Sequence, residues 1–351
     1  VIFKPNIEEA IEANTIMLQN RCNNTRYGVA KRALSVIQKV QLFNIHIASK
    51  FTHIARVMPL QDKFLDAIQM QFSHTVWSTR IERMAMLNTH RKLYEGGLGF
   101  VSLRLKCQAL FTSVVLHQFM NDGPGTRFLD YWIGLRLRHI KRPAQGGHAQ
   151  NLNRLLFDKA IEIILMLHGA NPDRDWRNIT PKELYEFLVG STTPEPKIFI
   201  SPPVTNPKRA LTNMLNPVLC PLAREHVFFT LHNLLPTRVR LLRCNRIPPP
   251  GTDICIKCNL APEDGYHVFL CVKSQPAVAW MRRKLIKLDS SMERLAIQDI
   301  FFLDFLLPDR KRHNTAVWLA ANFSETLFKI RYGTSKNILR DVYTEMKRRI
   351  R

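Results

Sequence analysis

Cys255-Ile-Lys-Cys258, followed by His267 and Cys271, sets four metal-ligating side chains at a Cys-x2-Cys-x8-His-x3-Cys spacing. Thiolates and an imidazole close a tetrahedral zinc site, and a two-residue gap lets both thiolates of the pair face one ion. The three residues between His267 and Cys271 put them one helical turn apart, on one face. All four coordination positions come from the protein, so the chemistry expected is structural and not catalytic. Metal binding would then supply folding free energy to a segment with little core of its own. The alternative is three unrelated cysteines and a surface histidine. The other cysteines, Cys22, Cys107, Cys220 and Cys244, are scattered, and Cys244 is the one that could compete as a ligand. Seven cysteines is an odd number, and the clustering of three of them favours a metal site over a disulfide framework.

Other catalytic chemistry is missing from the chain. No Asp-Asp dipeptide occurs, so the paired carboxylates of a two-magnesium nucleotidyl-transfer turn are absent. Pro308-Asp309 could begin a restriction-like nuclease pattern, but the acidic-x-Lys partner does not follow it. No catalytic residue is assigned.

Charge points to a partner. Among 351 residues, 51 Lys and Arg stand against 28 Asp and Glu, a formal net charge of +23. Phosphates neutralised by such side chains release condensed counterions, which gives affinity for RNA or DNA without sequence readout. A membrane surface fits less well, because no single helix pairs a clean basic face with a Trp/Leu face. No apolar run approaches the roughly 18 to 20 uncharged residues of a membrane span, as the broken stretch Phe301-Phe-Leu-Asp-Phe-Leu-Leu307 illustrates. No secretory signal is read either, so an intracellular location, nuclear or cytoplasmic, is expected. Arg238, Arg240, Arg243 and Arg246 precede the cysteine segment, while Arg282, Arg283, Lys284 and Lys287 follow it. These could grip phosphates, with Tyr266, Phe269 or Trp280 free to stack on bases; the bland alternative is a solvated helix face. Arg136, Arg138, Lys141 and Arg142 form a third basic cluster, in a glycine- and proline-bearing stretch.

The elements that must position these groups read as mainly α. Ala33, Leu34, Ile37, Val40, Phe43 and Ile47 recur at helical spacing, and Phe64, Leu65, Ile68, Phe72 and Trp77 resume the period after a break at Pro59. That short turn predicts two helices lying side by side. Gly96-Gly-Leu-Gly99 predicts a loop, Leu110 to Met120 a helix, and the stretch from Gly123 to about Asn151 a mobile basic connector. Leu155 to His168 is a further helix, and Thr180-Pro-Lys-Glu183 opens another with a capping box. Pro194, Pro196, Pro202, Pro203 and Pro207 make a stiff linker and the main domain boundary. Leu211 to Leu235 and Val278 to Arg351 then read as helix. The division expected is a helical region at 1–95, a glycine-containing basic connector with helices at 96–190, a Pro-rich linker at 191–210 and a zinc-binding helical domain at 211–351. The first residue is Val and residue 351 ends a helical pattern, so a fragment of a longer chain is expected.

A family resemblance rests on several of these segments in order. Leu234-Leu-Pro-Thr-Arg-Val-Arg-Leu-Leu-Arg243, the Cys255/Cys258 pair and Glu263-Asp-Gly-Tyr-His267-Val-Phe-Leu-Cys271 resemble the zinc-binding region that follows the polymerase in non-LTR (LINE-type) retrotransposon reverse transcriptases. Ala316-Val-Trp318 through Lys329-Ile-Arg331 resembles a helix near their C-termini. Leu34-Ser-Val-Ile-Gln-Lys-Val40, Ile47-Ala-Ser-Lys50, Val57-Met-Pro-Leu60 and Trp77 resemble the helical thumb, and Glu95-Gly-Gly-Leu-Gly-Phe100 a glycine motif beyond it. Thr180 to Leu188 is similar to the helix preceding the zinc region.

The resemblance implies a helical thumb-like bundle, a basic connector and a small zinc-stabilised domain. It implies RNA or DNA contact, with Lys31, Arg32, Lys39 and Lys50 near a template–primer duplex. It also implies a polymerase domain in the same parent chain, which would carry the Mg2+. The chain would itself be non-catalytic and would position template or target. A free-standing zinc-dependent nucleic-acid-binding protein derived from such an element, and a helical scaffold, are the alternatives.

Overall fold

The computed structural model describes residues 1–30, 33–78, 84–121, 123–141, 154–192, 204–247, 251–332 and 337–350. The fold is mainly α, as the periodicity requires. Among the described residues the one β-type pairing is an isolated antiparallel bridge between Ile254 and Pro262. The chain divides into two compact units: residues 1–34, 39–90 and 99–194, and residues 35–38, 91–98 and 195–351.

The first unit carries α1 (Ile7–Ala30), most of α2 (Val36–His46), α3 (Thr52–Val57), α4 (Asp62–Trp77), α5 (Met86–Thr89), α6 (Leu103–Met120), α7 (Pro124–Ile133), α8 (Arg154–Ala170) and α9 (Pro181–Thr192). Within the stretch 96–190, α6 packs on α3, α4, α7, α8 and α9. Leu105, Phe111, Leu116 and Phe119 of α6 meet Ile133, Ile161, Ile164, Leu184 and Leu188 in one apolar cluster. Ser102 caps α6 by accepting from the Leu105 N–H. Thr180 and Glu183 exchange the two bonds of a capping box at 2.9 and 3.2 Å. Pro59 does separate α3 from α4, but both pack more extensively on α6 than on each other, because α6 is the longer apolar partner. Within the stretch expected as a basic connector, Pro124 to Ile133 is helix, with a Pro in its first turn and Leu129 and Ile133 buried, while residues 142–153 lie outside the described residues.

The second unit carries α10 (Pro207–Met214), α11 (Pro221–Leu231), α12 (Arg238–Arg243), α13 (His267–Leu270), α14 (Gln275–Leu288), α15 (Ile297–Phe301), α16 (Arg310–Tyr332) and α17 (Ile338–Ile350). The expected continuous helix from Leu211 to Leu235 is broken between Met214 and Pro221, where Pro217 and Pro221 remove backbone donors. The pattern from Val278 to Arg351 is likewise several helices. Buried Ala316, Ala320 and Ala321 let α16 sit close to its neighbours, and it packs on α11, α14, α15 and α17. Phe269, Phe301 and Phe323 form a stack at centroid distances of 4.0 and 5.7 Å, joining α13, α15 and α16. Residues 91–98 belong with this unit, where Gly97 lies so close to Arg91 that a Cβ would fall 2.0 Å from the Arg91 carbonyl oxygen. No helix among the described residues is long and apolar enough to cross a membrane.

Candidate metal centre

A narrow hairpin presents the first two ligands. The Cys255 N–H donates to the Ala261 carbonyl at 2.9 Å and the Glu263 N–H to the Asp253 carbonyl at 2.8 Å, closing the ends around the Ile254–Pro262 bridge. The tip turns because Asn259 takes φ 57°, a left-handed conformation that Asn tolerates better than most residues. Two amides point at sulfur: Lys257 N–H at Cys255 Sγ, 3.3 Å, and Leu260 N–H at Cys258 Sγ, 3.4 Å. Such donors favour thiolate over thiol.

The other two candidate ligands sit at the start and just past the end of α13. Asp264 Oδ1 accepts from the N–H groups of Tyr266 and His267 at 2.9 and 2.6 Å, starting the turn that carries His267. The Cys271 N–H then donates to the His267 carbonyl at 2.8 Å, so one helical turn sets the two side chains on the same face. The ligand atoms of Cys255, Cys258, His267 and Cys271 all lie within 4.8 Å of one another, and Cys258 Sγ is 3.4 Å from His267 Nε2. Two ligands at ordinary metal–sulfur and metal–nitrogen lengths on a tetrahedral ion stand about 3.5 Å apart. The donor set and its spacing therefore fit a metal ion. Cys255 and Cys271 are buried, while Cys258 and His267 are half-buried. Cys244, the competing ligand considered from spacing, is exposed and outside the cluster.

Local electrostatics shift Cys258 and His267 in the direction that metal ligation favours. Desolvation acts to raise the Cys258 thiol, but the Leu260 amide and the neighbouring thiols of Cys255 and Cys271 outweigh it and hold it below its ordinary value. Burial, followed by Arg331, lowers His267 and keeps its imidazole neutral, as a ligand must be. Burial raises the Cys255 thiol, opposed by the amides of Cys258 and Lys257 and by Arg331.

A further ring of contacts surrounds the ligands. Arg331, fully buried in the last turn of α16, places Nη2 2.6 Å from Cys255 Sγ and 3.5 Å from Glu263 Oε2, and donates from Nη1 to Ser274 Oγ at 3.0 Å. The Glu263 carboxylate, also fully buried, accepts from the Tyr332 hydroxyl and, at 3.3 Å, from the Arg238 N–H that opens α12. Thr237 caps the same helix. Glu263 and Arg331 stand in sequence motifs that assign them no role. Their pairing spans 68 residues, and no local pattern encodes it.

The basic candidates separate into two groups. Arg243, Arg246, Arg283, Lys284 and Arg138 are exposed. The others are partly engaged: Arg238 Nε donates to the Thr252 carbonyl, Arg240 to the Asn233 carbonyl, Arg282 to those of Glu293 and Leu295, Lys141 to that of Phe119, and Arg136 pairs with Asp158. Arg142, Lys31 and Arg32 lie outside the described residues. Lys39 is buried with its ammonium on Ser78, and Lys50 donates to the Arg21 carbonyl and Thr25 at 3.0 and 2.6 Å, so both ammonium groups are turned to their own unit. Phe269 is 1% exposed inside the Phe stack and cannot take a base. Tyr266 hydrogen-bonds Gln298 at 2.8 Å and Trp280 meets Phe323 and Tyr343, yet both keep part of their surface. Pro308-Asp309 proves to be a helix start: Asp309 Oδ1 accepts from the Arg312 N–H at 2.7 Å.

No protein-family model matches the chain, and no curated protein matches it.

Proposed function

We propose that this chain is the non-catalytic C-terminal part of a non-LTR retrotransposon reverse transcriptase, holding RNA or DNA near a polymerase domain supplied by the parent chain. Its centre takes zinc, because three thiolates and one imidazole with no open position are the ligand set of a structural zinc site. The observation that carries the reading is the join between that centre and a basic helix. Glu263, four residues before His267, accepts from the first N–H of α12, and from that helix and its end project exposed Arg243 and Arg246. A metal-held platform of this kind presents cations at fixed positions in a chain of net charge +23. Binding there raises the effective concentration of template or target without adding a catalytic group. The polymerase, and the Mg2+ it needs, belong to the parent chain.

Titrating the zinc-loaded chain with labelled single-stranded RNA, single-stranded DNA and duplex DNA over a range of salt concentrations tests the reading. Phosphate contact gives affinity that falls linearly on a log–log plot as salt rises. Absence of binding, or affinity indifferent to salt, would leave only a scaffold. The reading frame upstream of the Val1 codon tests the parentage: continuation into a Tyr/Phe-x-Asp-Asp turn supports it, and a start codon at that point makes the chain a free-standing binding protein.

A further inference from the structure

A fully buried arginine needs anionic partners, because its guanidinium stays charged and loses its hydration. Arg331 has the Glu263 carboxylate and the sulfurs of Cys255 and Cys271 around it, and Cys255 lies nearer than the carboxylate. Its Nη2 lies 2.6 Å from Cys255 Sγ against 3.5 Å from Glu263 Oε2. Glu263 is moreover shared with the Tyr332 hydroxyl and the Arg238 N–H, donors that already satisfy part of its charge. A thiol is a weak acceptor and a metal-bound thiolate a strong one. Three thiolates, a neutral imidazole and a divalent ion leave the filled centre with about one net negative charge, −3 + 2. The guanidinium sits where that charge would lie.

Resting on the metal-centre reading, we propose that Arg331 is a positioning residue of the centre, whose guanidinium compensates the charge of the filled site and couples occupancy to the docking of α16 on the cysteine hairpin. The coupling follows from connectivity. Cys255 belongs to the hairpin and Arg331 to the end of a 23-residue helix, and Ser274, between Cys271 and α14, takes the second arm of the fork. Filling the site strengthens the acceptor, and the acceptor holds the helix end. Emptying it removes the metal-centred charge that the guanidinium faces, and the last turn of α16 loosens.

Chelator competition on the full chain, Co2+ absorption spectra, and hydrogen exchange of peptides over residues 323–332 with and without EDTA test this. In the wild type, EDTA should speed exchange in that turn. Arg331→Met should bind Co2+ roughly 10- to 100-fold more weakly, shift the thiolate-to-cobalt bands, and lose the exchange response to EDTA. Arg331→Lys, which keeps the charge without the fork, should recover part of the affinity. Wild-type affinity and bands in Arg331→Met overturn the proposal while leaving the centre intact, whereas a wild type that binds no metal overturns the centre itself. Should Arg331→Met fail to fold, Arg331→Lys decides: weakened affinity with shifted bands supports the role, and wild-type values overturn it.

Discussion

Cys258 Sγ and His267 Nε2 stand 3.4 Å apart, although one comes from the tip of a hairpin and the other from the first turn of a helix. With Cys255 and Cys271 around them, all four ligand atoms fall within 4.8 Å of one another, a cluster that could hold one ion. Cys258→Ser should therefore weaken metal binding, measured by metal analysis of the purified chain. It should also melt the hairpin and loosen α12, since Glu263 ties both to one site. The helices of the first unit, which has its own apolar core, should keep their far-ultraviolet circular dichroism.

His226 and His232 make the second unit sensitive to acid. Burial lowers both from 6.5 to about 4, with Glu325 opposing and Lys329 adding to the shift at His226. The unfolded chain takes up these protons near its ordinary value and the folded chain only near pH 4, so stability is complete above about 6.5 and is lost as pH falls toward 4. The loss is on the order of 3 kcal/mol per histidine. His226→Gln, which can still bond Ser324, should reduce the slope of urea-unfolding free energy against pH in that window. An unchanged slope would exclude His226 as a contributor.

Gly97→Ala should be costly for its size. The new methyl would lie 2.0 Å from the backbone oxygen of Arg91, which no side-chain rotation relieves. A drop on the order of 1 to 3 kcal/mol is expected from thermal or urea unfolding. Gly28→Ala, where nothing lies within 4 Å, should cost less.

Arg243 and Arg246 are exposed, so replacing them should alter binding more than folding. The Arg243→Ala/Arg246→Ala double variant should weaken RNA or DNA binding and lower the salt slope by about 2 if each meets one phosphate. Its melting temperature should stay near wild type. An unaltered slope would move the nucleic-acid surface elsewhere.

The Cys3His cluster was legible because its geometry is local: a Cys-x2-Cys turn and a His-x3-Cys helical turn are each set within a few residues. Helix content was legible for the same reason, since a 3.6-residue period needs no long-range information. The breaks were less so. Pro217 and Pro221 interrupt what periodicity alone reads as one helix, and α7 folds in a stretch whose glycines suggested a connector. Buried groups were misjudged wherever polarity and position conflict. Phe269 looked available for stacking beside His267, and Lys39 for a duplex, yet packing claimed the first and Ser78 the ammonium of the second.

By itself, then, the sequence determined the charge, the helical class and the Cys3His cluster, all of them properties of composition or of neighbours in the chain. Tertiary structure alone decided that Arg331 meets Cys255 across 76 residues, that Glu263 joins α12 to α16, and which arginines remain at the surface. Those outcomes depend on where a burial-driven core leaves each helix end. Hydrophobic burial is non-directional, and only the assembled packing determines which polar groups it brings together.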